Sequence, residues 1–206
     1  MDPTPSRYPV PAARHAVETV VQRSRFVATL APAPTVDAAV EFVRDVSRAH
    51  ADATHNCWAY VVGPPGSTGR VGMSDDGEPH GTAGRPMLAA LLHGGVGDVA
   101  AVVTRYYGGT KLGTGGLVRA YGGTVQQALL AMPRAERVEY VELDVAVDYA
   151  HLAAVRHLLP ACEAEVLSER YLDGVTYRVR LPRGEADRFA ALLGDATRGQ
   201  ARVTEA

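Results

Sequence analysis

The sequence predicts an α+β protein of two domains, a β/α domain over residues 1–134 and a ferredoxin-like domain over residues 135–206. Three observations carry this expectation. A length of 206 residues suits one or two domains. The first part mixes apolar strand-like runs with helically spaced valines and Gly-rich turns. Beyond Pro133 the segments read β, α, β, β, α, β within roughly 70 residues, the split-βαβ order of ferredoxin-like folds.

The elements follow in order. Residues 14–22 and 25–30 are rich in Val and Phe and read as two strands. Thr35 suits a helix N-cap, and Val36, Ala39, Val40, Val43 and Val46 then recur at helical spacing to about Ala49. Cys57 to Val62 is a strand ended by Gly63-Pro64-Pro65-Gly66, and Val71 to Met73 is a short partner. Pro86 suits the first position of a helix reaching His93, closed by Gly94-Gly95. Val99 to Tyr107 is a buried central strand, and a helix follows the loop 108–114 from about Gly115 to Met132. Gly122 and Gly123 inside that helix suggest a closely packed neighbour. In the second domain the expected elements are 138–147, 149–159, 164–171, 175–181, 185–193 and 200–204, with Leu172-Asp173-Gly174 as the central hairpin turn.

Composition excludes several classes. The chain is 47% hydrophobic and 21% charged, which rules out disorder and collagen-like sequence. No apolar stretch reaches membrane-spanning length, and the Pro-containing N-terminus lacks the apolar core of a signal peptide, so no membrane association is expected. Cys57 and Cys162 form no CxxC motif and read as free thiols of a cytoplasmic protein. The net charge of −2 argues against a general polyanion binder. That charge is segmented, however: residues 1–78 sum to −2, residues 79–134 to +4 and residues 135–206 to −4. The basic third is also the Gly-rich third. It contains Lys111, the one Lys among 20 Arg, and no Asp or Glu lies between residues 99 and 135.

Three segments could carry chemistry. In Ser74 to Pro86, the carboxylates Asp75, Asp76 and Glu78 could hold Mg²⁺ or act as acid and base. A tight Asp-Asp-Gly turn is the preferred alternative, leading through Thr82 and Arg85 into the Pro86 helix. In Thr104 to Tyr121, a buried strand ends at Tyr106 and Tyr107 before a Gly-rich loop. There Gly113, Gly115 and Gly116 can form a backbone nest for a phosphate or carboxylate, beside Arg105, Lys111 and Arg119. The loop is neither a Walker A nor a Rossmann fingerprint, because its Lys precedes the last glycines and Val118 stands where a third Gly belongs. Adjacent tyrosines could stack on bases, although strand alternation places the two rings on opposite faces. The third segment, His50-x₄-His55-Asn56-Cys57, has zinc-ligand residue types without a zinc-site spacing. Its His55 and Asn56 are expected to bond neighbouring backbone. No metal site, no cofactor and no catalytic residue is assigned.

Ser24-Arg25-Phe26-Val27-Ala28, Ala53 to Tyr60, Ser74 to Pro86 and Val102 to Tyr121 occur in this order and spacing, and together they closely resemble the YigZ/IMPACT family. The resemblance covers about residues 20–130, with a weaker likeness of the C-terminal part to the smaller domain of bacterial YigZ-like two-domain proteins. It implies a first domain like the second domain of a ribosomal small-subunit protein and domain IV of elongation factor G, and a second domain like domain V of that factor. It also implies a functional surface of Asp75, Asp76, Glu78, Thr82, Arg85, Arg105, Tyr106, Lys111 and Arg119. His80 departs from the family pattern, where a small Ser is more usual.

The resemblance, together with the +4 segment, implies as the preferred function a non-enzymatic, translation-linked regulator that binds RNA, the ribosome or a protein partner through the Gly-rich basic face. The rival is an enzyme acting on a phosphorylated small molecule, with the Asp75–Glu78 carboxylates facing Lys111 and the Gly113–Gly116 turn across one cleft. Oligomeric state is not legible in the sequence.

Overall fold

The computed structural model describes residues 5–206; residues 1–4, the start of the segment expected not to be a signal peptide, lie outside the described residues. The fold is α+β and divides into two units, residues 8–137 and residues 138–206 joined by 5–7.

In the N-terminal unit, β2 (His15–Val21) and β3 (Ser24–Pro32) form a hairpin whose register pairs Val21 with Ser24. Its two turn residues, Gln22 and Arg23, both have positive φ, the geometry that matches the twist of the flanking strands. α1 (Val36–Ala49) starts where expected, because Thr35 Oγ1 accepts from the Ala38 N–H at 3.1 Å. β4 (His55–Val61), β5 (Val71–Ser74) and β6 (Val99–Tyr106) complete an antiparallel sheet in the order β2-β3-β6-β4-β5.

Helices cover both faces of this sheet, which is why central β6 reads as an unbroken apolar run rather than an alternating one. On one face Phe26, Cys57 and Val103 pack against Met87, Tyr121 and Val125 of α2 (Gly84–His93) and α3 (Gly113–Ala131). On the other, Ala100 packs with Ala33 and Ala39 beneath α1. Burying one large side chain such as Met87 contributes on the order of 2 kcal/mol.

Both helices of the first face begin two residues before their expected starts. At α2 the reason is remote: the Asp75 carboxylate accepts from the Ala83 and Gly84 N–H groups and so starts the helix ahead of Pro86. At α3, Gly113 takes φ +69 and lets the chain enter the helix directly, leaving Gly115 and Gly116 inside the first turn. Two strands were not expected. β1 (Arg7–Pro11) and β7 (Arg134–Val138) pair where the chain enters and leaves the N-terminal unit. Their short, proline-flanked sequences carry no alternating apolar signal.

The C-terminal unit contains β8 (Tyr140–Val147), α4 (Leu152–Ala161), β9 (Glu165–Tyr171), β10 (Val175–Pro182), α5 (Ala186–Thr197) and β11 (Arg202–Glu205). This is the βαββαβ order read from the sequence. Its four-stranded antiparallel sheet runs β11-β8-β10-β9. Val145, Tyr177 and Val179 of the sheet bury themselves with Val155, Phe189 and Leu193 from the two helices.

Candidate anion-binding cleft

The Asp75–Glu78 turn spreads its three carboxylates in different directions. Asp75 Oδ1 accepts from Ala83 and Gly84 at 3.0 and 2.8 Å, and Oδ2 accepts from Gly81 at 2.7 Å. Partial burial pushes the Asp75 carboxyl upward, but these three N–H groups outweigh it and hold the group below the usual Asp range. Asp76, at φ +40, accepts from the Asn56 N–H at 2.6 Å. Glu78 turns inward, where its Oε1 accepts from Arg105 Nη1 at 2.6 Å and from the Tyr121 hydroxyl at 2.8 Å. No group of three or more potential metal ligands occurs among the described residues. The tight-turn reading fits Asp75 and Asp76, whose carboxylates accept backbone N–H groups, whereas Glu78 neutralises a buried arginine. Thr82 belongs to the same turn, its hydroxyl donating to the Pro79 carbonyl at 2.6 Å.

The sheet register then assembles a cleft. Pairing β4 with β6 sets His55 opposite Arg105, and the Thr54 hydroxyl accepts from the Tyr107 N–H at 3.1 Å. α3 begins six residues after Tyr107, so its first turn arrives at the same end of the sheet. Between these pieces lies a cleft of about 460 Å³. Glu78 and Pro79, Lys111 to Thr114, and His55, Arg105 and Tyr107 are part of its lining.

Its electrostatics favour an anion. The Lys111 ammonium has no carboxylate partner among the described residues. The first N–H groups of α3 lack intrahelical acceptors and carry the positive end of the helix dipole. Glu78, the only carboxylate in the lining among the described residues, is tied to Arg105, with side-chain exposures of 3% and 7%. The Arg105 Nε–H is buried without a partner among the described residues. His55 Nδ1 lies 2.7 Å from the Asp76 carbonyl, which can only accept, so Nδ1 carries the proton and Nε2 of the neutral ring is an acceptor. The exposed Tyr107 ring supplies an aromatic face.

A model of the Impact N-terminal domain matches residues 22–129, and a domain of unknown function matches residues 145–200. The chain is 43% identical to the IMPACT family member YigZ of Escherichia coli, over 94% of this chain and 95% of that protein. It belongs to the IMPACT family. The IMPACT family member YvyE of Bacillus subtilis is 36% identical over 91% of this chain and 86% of its own length. A crystal structure described as that of a hypothetical protein aligns with a TM-score of 0.68 at 42% identity, covering 98% of both chains.

Within this IMPACT-family architecture the residues singled out in the sequence separate into four places. Glu78, Arg105, Lys111 and Gly113 meet in the cleft, and Gly115 and Gly116 lie in the helical turn that opens into it. Asp75 and Arg85 border a neighbouring depression with His80, whose fully exposed side chain explains why a residue larger than Ser fits there. Arg119 lies on the outer face of α3, away from the cleft lining. Tyr106 points to the opposite side of the sheet, where His50 Nδ1 lies 2.9 Å from its hydroxyl and the Arg25 guanidinium stacks 4.1 Å above its ring.

Thr54 and Pro79 carry no sequence signal as lining residues, whereas Tyr107, read with Tyr106 as a possible base-stacking ring, and His55, read as bonding neighbouring backbone, join the cleft lining. Strand parity was the available signal for Tyr107, which shares a face with Arg105, as Tyr106 does not. The same parity, carried across the β4–β6 pairing, brings in His55.

Proposed function

We propose that this IMPACT-family chain is a non-enzymatic, translation-linked regulator that binds single-stranded RNA through the cleft at the start of α3. One observation carries the reading: an unpaired ammonium, a helix N-terminus and an exposed tyrosine ring line one cleft that has no free carboxylate among the described residues. Phosphate would sit against Lys111 and the Gly113–Gly116 turn, and a base would stack on Tyr107. The proposal extends to the whole chain acting in the cytoplasm, its two domains standing in for domains IV and V of elongation factor G on the ribosome.

Fluorescence anisotropy with a short single-stranded RNA across a salt series tests it. Affinity should fall with salt, and Lys111→Ala should reduce the magnitude of the log–log slope by about 1. No binding at low salt overturns the RNA reading.

An enzyme on a phosphorylated small molecule is favoured by one point only, that Glu78 and Gly113 share the cleft. Against it, Asp75 and Asp76 are engaged by backbone N–H groups, and Glu78 by Arg105 and Tyr121. Such an enzyme would have an anion site without a free carboxylate base.

A further inference from the structure

The outer face of the α2–α3 pair carries a groove that shares no lining residue with the anion cleft. Two adjoining hollows of about 480 and 280 Å³ make it up, and both are bordered by Ala90, His93 and Gln126. From Val118 to Leu130 it follows α3 for about 18 Å. Both of these residues are exposed apolar side chains, Leu130 to 82%.

The charge around it is one-sided. Between residues 79 and 135 the only carboxylate is Asp98, which is buried and paired with Arg137. Arg119 borders one end of the groove and Arg134 the other. Arg119 has no carboxylate partner among the described residues, and Arg134 is held over its end by a bond to the Leu129 carbonyl.

Gly122 and Gly123 sit on this face, and the chain itself does not require either. A methyl group at Gly122 would meet Pro86 at an ordinary 3.5 Å, and one at Gly123 would meet nothing within 4 Å. Neither has a positive φ. Consecutive glycines nevertheless weaken a helix relative to alanine. A role in letting another backbone approach closely accounts for them.

We infer that the α2–α3 groove docks an acidic amphipathic helix of a protein partner, its backbone crossing at Gly122–Gly123 and its carboxylates reaching Arg119 and Arg134. The apolar border and the close approach match a helix-in-groove complex. RNA fits this face poorly, since among the described residues no Phe, Tyr or Trp borders the groove and its cations are few. This goes beyond the RNA reading and uses a different surface.

The test screens the full chain against a displayed library of amphipathic helical peptides about four turns long, with flanking charges randomised. Enriched peptides should be acidic. Gly123→Ala should raise Tm while weakening those peptides about tenfold or more. Arg119→Glu should abolish selection of acidic peptides. The proposal is overturned by no enrichment above background, by enrichment of basic or uncharged peptides, or by unchanged binding to Gly123→Ala. A lowered Tm for Gly123→Ala would overturn it too, by showing that the chain itself needs the glycine. So would loss of RNA affinity or of a self-association seen by sedimentation in that variant, which would assign the face to RNA or to a second copy.

Discussion

The Glu78 carboxylate and the Arg105 guanidinium meet at 2.6 Å with both side chains almost wholly shielded from solvent. This pair lies at the junction of the β5–α2 loop, the end of β6 and the core-facing side of α3, because Tyr121 donates to the same Glu78 oxygen. Tyr121 in turn packs edge-on against Phe26, with ring centroids 5.3 Å apart. The lining of the candidate anion cleft thus includes a buried ion pair.

Removing one partner should cost far more than a surface pair would. Glu78→Ala leaves a guanidinium buried and uncompensated, and the expected destabilisation is about 3–5 kcal/mol by urea unfolding. The exposed pair Arg48–Asp45 on α1 is the control, expected to change stability by less than about 1 kcal/mol. Equal effects from the two would refute a structural role for the buried pair.

Asp75 makes the fold acid-sensitive in a defined direction. Its carboxyl is held below the ordinary Asp value in the folded state. Its contribution is therefore present above the unfolded pKa of about 3.9 and is lost as pH falls through the lower folded value. Asp75→Asn should lose about 1–2 kcal/mol near neutrality, because its amide NH₂ cannot accept the Gly81 N–H that Oδ2 accepts. It should also show a flatter stability profile below about pH 4 than the parent chain. A mutant curve parallel to the parent would mean the carboxylate charge is irrelevant.

Cys57 is predicted to be unreactive in the native protein. Burial dominates and pushes its thiol up to about 12, and its Sγ donates to the Asp75 carbonyl at 2.9 Å. A thiol reagent at pH 8 should label it only after unfolding. Rapid native labelling at Cys57, mapped by mass spectrometry, would contradict the packing described for β4.

The two neighbouring tyrosines should separate cleanly in RNA binding. Tyr107→Ala is expected to weaken binding by about 1–3 kcal/mol, the range of one base–aromatic stack. Tyr106→Ala, on the other face of the sheet, should leave RNA affinity unchanged while loosening the His50–Tyr106 contact. A larger effect from Tyr106, by anisotropy, would move the binding surface to the α1 side.

Residue order alone was enough to locate most elements, because the signals there are local. Thr35 caps α1 through a bond three residues away, and the βαββαβ order of the second domain follows from apolar periodicity and turn residues. The family was legible for the same reason, since its motifs are contiguous. Local signals failed where a partner is remote. Asp75 starts α2 from eight and nine residues upstream, and β1 and β7 exist only through their pairing across the N-terminal unit.

By itself, then, the sequence determined the α+β class, the order of most elements and a basic, Gly-rich segment built around Lys111. Tertiary structure alone decided what that segment faces. The β4–β6 register set His55 beside Arg105, strand parity chose Tyr107 over Tyr106, and burial turned Glu78 from a candidate base into the counter-ion of Arg105. The physical reason is that a side chain's charge and reach are written in its own residue, whereas its partners depend on which strands pair and which face is covered.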